Sequence, residues 1–183
     1  MTILDIIKSR RSVRKFAPEP VEDDKIKHVM EAARLAPSWR NKQCWKFIVI
    51  NQPDIIKEVV EHTGVYNRTW LGNAPVLIVA CGDPSASGIR NDQTYFLVDV
   101  AIATEHLVLA ATELGLGTCW IGAFDADKIK QLLNIPEHIR IVTILPLGYP
   151  HEKDSLAGKM AKTFVRSHKR KPMTEILCYN KWQ

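Results

Sequence analysis

Apolar residues along the 183-residue chain recur at helical spacing in some stretches and run unbroken in others, and the switches between these patterns mark the elements. Ile3 to Lys8 forms a short predicted helix that leads into the basic stretch Arg10 to Arg14. Pro18 and Pro20 punctuate the chain. Glu22, Asp23 and Asp24 then place acid where the next helix starts, the end its macrodipole favours for negative charge. That helix carries Ile26, Val29, Met30 and Ala33 at i, i+3, i+4 and i+7, one amphipathic face. It stops at Ala36-Pro37, because the residue before a proline avoids the helical region. A polar loop, Ser38 to Gln43, precedes a strand from Lys46 to Ile50. Pro53 opens a helix through His62, with Gly64 suited to close it. Val76 to Cys81, apolar throughout and bounded by Pro75 and Gly82, has the pattern of a fully buried strand, and Gly82 to Asp92 that of a loop.

The segment from Gln93 to Leu114 is the longest predicted helix. Its polar residues are confined to one narrow stripe, Asp99, Glu105, His106, Thr112 and Glu113, while Leu97, Val100, Ile102, Leu107, Leu109 and Ala110 make the rest apolar. A helix apolar over most of its circumference must be covered on several sides. Two covers are open, a second subunit or the remainder of the same domain. Gly115 and Gly117 end this helix, and Thr118 to Ile121 resembles a strand. Asp125 is placed to cap a helix from Lys128 to Leu133. Ile139 to Leu147 alternates branched apolar residues up to a turn at Gly148-Tyr149-Pro150, and the stretch from Lys162 to Lys171 is basic. With no internal repeat and no linker, the chain is expected to form one domain over residues 1–183, of class α/β or α+β.

Composition narrows this a little. Hydrophobic residues at 46% and charged residues at 25% are globular values, so disorder is not the main theme. The net charge of +5, with a pI near 9.0, suits an anionic partner without choosing among a phosphate-bearing cofactor, a nucleic acid and an acidic membrane. Cys44, Cys81, Cys119 and Cys178 are widely spaced, giving neither a zinc knuckle nor a disulfide framework. Cys81 and Cys119 lie in apolar runs, where a thiol packs as a small hydrophobe. Asp5 and Lys8 interrupt the N-terminal isoleucines, so no signal core forms, and no stretch of about 18 apolar residues is present. A reduced cytoplasmic setting is expected.

Several chemistries have no residues to carry them. The chain lacks a G-x-S-x-G elbow, a Walker loop and an H-E-x-x-H pair, and its six histidines have no metal-ligand spacing, so neither a metal nor a catalytic side chain is expected. His106, on the polar stripe, takes a solvated or hydrogen-bonded surface role. Gly115-Leu116-Gly117 follows a helix and precedes a strand, the reverse of a dinucleotide turn. What remains is Arg10, Arg11 and Arg14 around the Ser12 hydroxyl, three guanidiniums within five residues. Such a group matches a phosphate or a polar ligand tail, although alone it equally describes a solvated face.

Four segments taken together give this group a meaning: R-R-S-V-R-K-F at 10–16, A-P-S-W-R-N-K-Q-C-W-K-F at 36–47, G-L-G-T-C-W-I-G-A at 115–123 and H-K-R-K-P at 168–172. In this order and spacing they resemble the FMN-dependent nitroreductase family, over nearly the whole chain. The resemblance implies an α+β fold, a central mostly antiparallel sheet flanked by helices, in an intertwined homodimer with the long helix at the interface. It implies FMN at that interface, contacted by both subunits. Arg10, Arg11, Ser12 and Arg14 would meet the flavin phosphate, ribityl chain and pyrimidine edge. Pro37, Ser38, Trp39, Asn41 and Gln43 would come from the partner subunit and cover the ring. Ile121 and Gly122 would present backbone groups near N5 and O4, and Lys169 and Arg170 would complete the phosphate site.

The resemblance further implies a ping-pong oxidoreductase. NADH or NADPH gives hydride to flavin N5 and leaves, and an electron-poor acceptor such as a nitroaromatic or quinone takes the electrons. The cofactor carries that chemistry and the protein orients it. Cys44 stands where the family commonly has proline, either packing or acting as a redox-sensitive thiol. Little chain lies between Gly64 and Asn73 or between Gly82 and Asp92 to form a lid, and Trp39, Tyr66 and Trp70 are candidates to wall the substrate pocket. Two other classes stay in view: a flavin-binding storage or sensor protein without turnover, and a nucleic-acid module suggested by charge alone.

Overall fold

The structure is a computed structural model, which describes residues 2–151 and 170–182. After α1 (Ile3–Ser9) and α2 (Asp23–Arg34), a single turn of 3-10 helix (Trp39–Asn41) leads to β1 (Trp45–Ile50). Then come α3 (Pro53–Glu61), the short α4 (Val65–Arg68), β2 (Val76–Gly82), a hairpin of β3 (Ile89–Arg90) and β4 (Gln93–Thr94), and the long α5 (Tyr95–Glu113). The chain continues through β5 (Gly117–Thr118), α6 (Ala126–Leu132) and β6 (Arg140–Gly148), and Met173–Glu175 makes a last 3-10 turn.

The central sheet runs β1-β2-β6-β5, antiparallel at every pairing. β2 sits inside it and is buried along its whole length, so its side chains serve two cores in alternation. Val76, Ile78 and Ala80 face a cluster with Val29 and Ala33 of α2 and Val100, Ala103, Leu107 and Val108 of α5. Leu77, Val79 and Cys81 join Ile56, Val59 and Val60 of α3 and Ile129 of α6 on the other face. Helices cover both sides of an antiparallel sheet. This is the α+β arrangement that the segment resemblance implied.

Most element boundaries fall within two residues of expectation, and Asp125 does accept the Lys128 backbone N–H (3.2 Å) as the α6 N-cap. Four differences carry physical content. The expected strand Thr118 to Ile121 is ladder only at Gly117 and Thr118. The chain then swings out, and Ile121 returns to exchange both backbone hydrogen bonds with Ile144 (3.0 and 3.2 Å). The supposed loop Gly82 to Asp92 contains the start of a tight hairpin, turned at Asn91 and Asp92, which both adopt left-handed φ (50° and 59°). Gly64 does not close α3. It precedes α4 with an ordinary φ of −58° and lies against Ala123. The polar stripe of α5 is not a wet face at its first member, since Asp99 is only 2% exposed, whereas Leu97 and Val98 face outward. By length and composition α5 is apolar enough to cross a membrane, but half of it is buried inside the protein, as in a core helix.

Candidate functional site

Three features of the chain's first strand-like stretch bring the basic residues to the sheet edge. Arg10 caps the C-terminus of α1, Ser12 bridges Thr118 in parallel, and the Val13 N–H donates to the Thr118 carbonyl (2.9 Å). The approach is close enough to demand a glycine. A Cβ on Gly117 would lie 2.6 Å from Val13. Gly117 thus belongs to this contact, and the turn that ends α5 is made by Gly115, whose left-handed φ of 76° favours glycine.

The result is a cationic group at the end of β5. Burial pushes the Cys119 thiol up, while the charge of Arg14, a hydrogen bond with Ser12 and the charge of Arg10 pull it back. Those three side chains therefore all act on one buried sulfur. Arg10 also faces Glu105 of α5, whose carboxyl is raised by burial and lowered by Arg10 and by a hydrogen bond with Trp120. Arg11 is the exception. Its guanidinium folds back onto the Lys8 and Arg10 carbonyls and satisfies the end of α1.

Arg14 also opens onto a cavity of about 370 Å³, shared with Lys15, Phe16, Thr69, Trp70, Asn73 and His151. Here Trp70 is 8% exposed and its indole N–H is buried with no hydrogen-bond partner among the described residues. Thr69, Asn73 and His151 carry no motif, and only the fold brings them to Arg14. Tyr66, expected as a wall, is exposed on α4. A second depression, about 280 Å³ between α3 and α6, is lined by Arg68 and Asp125, both already hydrogen-bonded to backbone.

The loop after α2 is a separate assembly. Arg40, Asn41 and Gln43 all take left-handed φ (47°, 57° and 48°), a costly conformation for residues with side chains. Local bonds hold it. Ser38 Oγ accepts from the Gln43 N–H (2.9 Å), and Gln43 Nε2 donates to Asn41 Oδ1 (3.0 Å). Pro37, Asn41 and Gln43 are exposed. Trp39 packs on Tyr95 (ring centroids 4.3 Å apart) and on Gly88, where a Cβ would lie 2.6 Å from the indole. The Arg40 guanidinium lies 5.7 Å from the Trp39 ring centre.

Beneath the loop, Asp99 accepts from the Trp39 N–H (2.8 Å), Ser87 Oγ (2.8 Å) and Cys44 Sγ (3.6 Å). Burial, with Asp99 beside it, pushes the Cys44 thiol up to about 12. A thiolate is the reactive form, so packing and hydrogen bonding describe Cys44 better than redox chemistry does.

Of the residues singled out in the sequence, the fold therefore gathers Arg10, Ser12 and Arg14 in one group and Ser38, Trp39, Asn41 and Gln43 in another. Ile121 is buried with both backbone groups engaged, and Gly122 beside it is exposed, with nothing within 4 Å of an added Cβ. Arg170 is exposed, and Lys169 lies outside the described residues.

The family model for the nitroreductase family matches residues 7–65 and 57–149. An Archaeoglobus fulgidus protein, provisionally named an NADH dehydrogenase/NAD(P)H nitroreductase, is 36% identical over 156 residues, covering 82% of this chain and 87% of its own. The FMN reductase [NAD(P)H] of Bacillus subtilis is 28% identical, covering 88% of this chain and 72% of its own. Among solved structures, a nitroreductase family protein of Clostridium novyi NT superposes with a TM-score of 0.80 at 38% identity, covering 84% of this chain and 87% of its own. The chain belongs to the nitroreductase family, and with it to the NAD(P)H-dependent flavin oxidoreductases.

Proposed function

We propose that this protein is an FMN enzyme that oxidises NADH or NADPH and reduces an electron-poor acceptor, a nitroaromatic or a quinone, in alternating half-reactions at one site. The observation that carries the proposal is that the charges of Arg10 and Arg14 and the Ser12 hydroxyl all act on one buried sulfur, Cys119, while Arg14 also lines the cavity shared with Thr69, Trp70 and Asn73. That donor-rich, cationic set fits FMN, which offers a phosphate, a hydroxylated chain and a ring edge of acceptors. The relatives support this cofactor, one being an FMN reductase and another, from Clostridium difficile, an FMN-dependent nitroreductase. When bound, FMN supplies a ring that accepts two electrons from a nicotinamide and passes them on.

The chain's own residues do the rest. Arg10 and Arg14 hold the phosphate and polar tail, each charge-assisted bond contributing roughly 1.5–3 kcal/mol of the roughly 8 kcal/mol that micromolar binding needs. Thr69 and Asn73 offer hydrogen-bonding groups along the cavity wall, and Trp70 lines it. Arg11, Lys169 and Arg170 complete the phosphate site in this proposal, with Arg11 leaving the end of α1 to do so. Gly122 leaves room for a flat ring beside Ile121. Pro37, Ser38, Trp39, Asn41 and Gln43 cover the ring from the partner subunit. Ile3, Leu4 and Ile7 of α1, Leu97 and Val98 of α5, and Met173, Ile176, Leu177 and Trp182 are exposed apolar residues, which favours a homodimer built on these surfaces. Residues 1–183 would form one domain of a cytoplasmic enzyme.

The test is a preparation of the full chain. It should be yellow, with one FMN per chain, and should bleach anaerobically on addition of NADH or NADPH. A protein that cannot be reconstituted with FMN overturns the proposal, and a yellow protein that never bleaches favours storage or sensing.

A further inference from the structure

We propose that Asp99 is a positioning residue that clamps the loop covering the flavin to the segment on which its Trp39 ring packs, so that the two keep one geometry. The inference rests on the flavin site proposed above. Asp99 is almost fully buried in the first half of α5, and a buried carboxylate is costly unless its oxygens are satisfied. Its three donors come from three separate places in the chain. The Trp39 N–H lies at the head of the strained loop, Cys44 at its far end, and Ser87 in the segment that leads through Gly88 into the β3–β4 hairpin. A carboxylate is acceptor-only, and each partner is a donor, so the match is complete.

Geometry gives the clamp consequences at a distance. The Trp39 N–H bond fixes the residue whose ring also rests on Tyr95 and Gly88, and Gly88 adjoins Ser87. One carboxylate thus fixes both the backbone of the cover and the wall its indole packs on. An aliphatic residue would fill the same space and could hold neither. Asp99 touches no reacting atom, so its effect should reach the chemistry only through Trp39 and the 83–90 segment.

The experiment uses the FMN-reconstituted full chain, with NADH as donor and 1,4-benzoquinone as acceptor, and four variants: Asp99→Ala, Asp99→Asn, Ser87→Ala and the Asp99→Ala/Ser87→Ala double. Asp99→Ala should raise the FMN Kd about tenfold and raise the quinone KM by more than it lowers kcat, since charge-assisted bonds are lost under the cover. Ser87→Ala should raise the quinone KM about threefold, the effect of one lost hydrogen bond, with the FMN Kd unchanged. Asp99→Asn keeps an acceptor for the Trp39 N–H and should restore most of the FMN affinity. In the double variant the Ser87 effect should vanish, because the tether has already lost its anchor. Folded Asp99→Ala protein with unchanged FMN Kd and quinone KM overturns the clamp, as does strict additivity of the two substitutions. Should Asp99→Ala fail to fold, an unchanged quinone KM in Ser87→Ala overturns it equally. Wild-type chain that binds no FMN overturns the flavin proposal itself, a result distinct from any of these.

Discussion

The basic segment and the loop after α2 both carry candidate flavin contacts, and they are held in opposite ways. Residues 12 to 17 are fixed by backbone. Ser12 and Val13 pair with Thr118, Ala17 donates to the Tyr149 carbonyl (2.8 Å), and the Lys15 carbonyl accepts from His151 (3.0 Å). Val13 and Phe16 pack inward, and the Arg14 side chain is left for a ligand. Residues 38 to 44 make short backbone turns of their own, and the Cys44 carbonyl accepts from the Asp83 N–H (2.9 Å), but it is side chains that tie the loop to α5 and close it, through Asp99, Ser38, Gln43 and the Trp39 ring, with three of its residues in a left-handed conformation. Within one chain these groups meet different stations of α5, Asp99 for the loop and Glu105 for Arg10, about 9 Å apart in axial rise at 1.5 Å per residue. A backbone-held region should lose ligand contacts on substitution and keep its shape. A side-chain-held region should lose its shape.

The largest expected effect tests the first half of that contrast. Arg14→Ala should weaken FMN binding about 10- to 100-fold, the worth of one charge-assisted bond or somewhat more, while thermal stability changes little, because Arg14 holds no described backbone contact in place. Flavin fluorescence titration beside a melting curve would read both quantities. A large drop in melting temperature with unchanged FMN affinity would show that Arg14 is a structural residue.

Two glycines sharpen the contrast further. In Gly117→Ala the new Cβ meets the branched stem of Val13, and in Gly88→Ala it meets the Trp39 indole, each at 2.6 Å. Neither neighbour is the free end of a flexible chain, so each substitution should cost about 1–3 kcal/mol, as overpacking does. Their functional signatures should differ. Gly117→Ala displaces the anchor and should act mainly on FMN affinity. Gly88→Ala displaces Trp39 and should act mainly on the acceptor KM. Urea denaturation with steady-state kinetics distinguishes the two, and identical profiles would mean that the regions are not separate devices.

Much of the scaffold was legible because it rests on local signals. The spacing of Ile26, Val29, Met30 and Ala33 specifies α2, of which Val29 and Ala33 are buried, and the unbroken run at 76–81 specifies the interior strand. The cationic triplet was legible because its charges are adjacent in sequence. What stayed hidden depends on residues brought together from afar. Asp99 looks like one more member of a polar stripe, since periodicity assigns polar residues to the wet face. Its donors stand 60, 55 and 12 positions away. The walls at Thr69, Trp70, Asn73 and His151 have no motif for the same reason. The β3–β4 hairpin has two-residue strands with exposed side chains, too short for alternation to register, and its only signal is Asn91-Asp92. Gly117 was noticed as a helix stop because the approach of Val13 is invisible in one dimension.

The smallest expected effect concerns the place where both regions are tied to β6. Tyr149 follows that strand, and its carbonyl holds Ala17 of the basic segment. Its hydroxyl donates to Glu22 (2.6 Å) and accepts from Lys25, at the start of the helix that leads to the loop. The Tyr149 hydroxyl, ahead of the backbone at Glu22 and of Lys25, holds the Glu22 carboxyl down at about 2, against an ordinary 4.5. A carboxyl whose folded value is depressed contributes stability that is present above its unfolded value and is lost as pH falls through the folded one. The contribution should therefore be full above about pH 4.5 and fade toward pH 2. Because the Glu22 side chain is 58% exposed, solvent screens the interaction and the effect should be modest. Tyr149→Phe removes the hydroxyl and leaves the Ala17 contact to the backbone carbonyl. Acid titration of stability should then show a shallower loss between pH 4.5 and 2 than in the unaltered chain, with FMN affinity at neutral pH unchanged. An altered FMN affinity would mean that the hydroxyl, and not the backbone alone, helps to hold the basic segment in place.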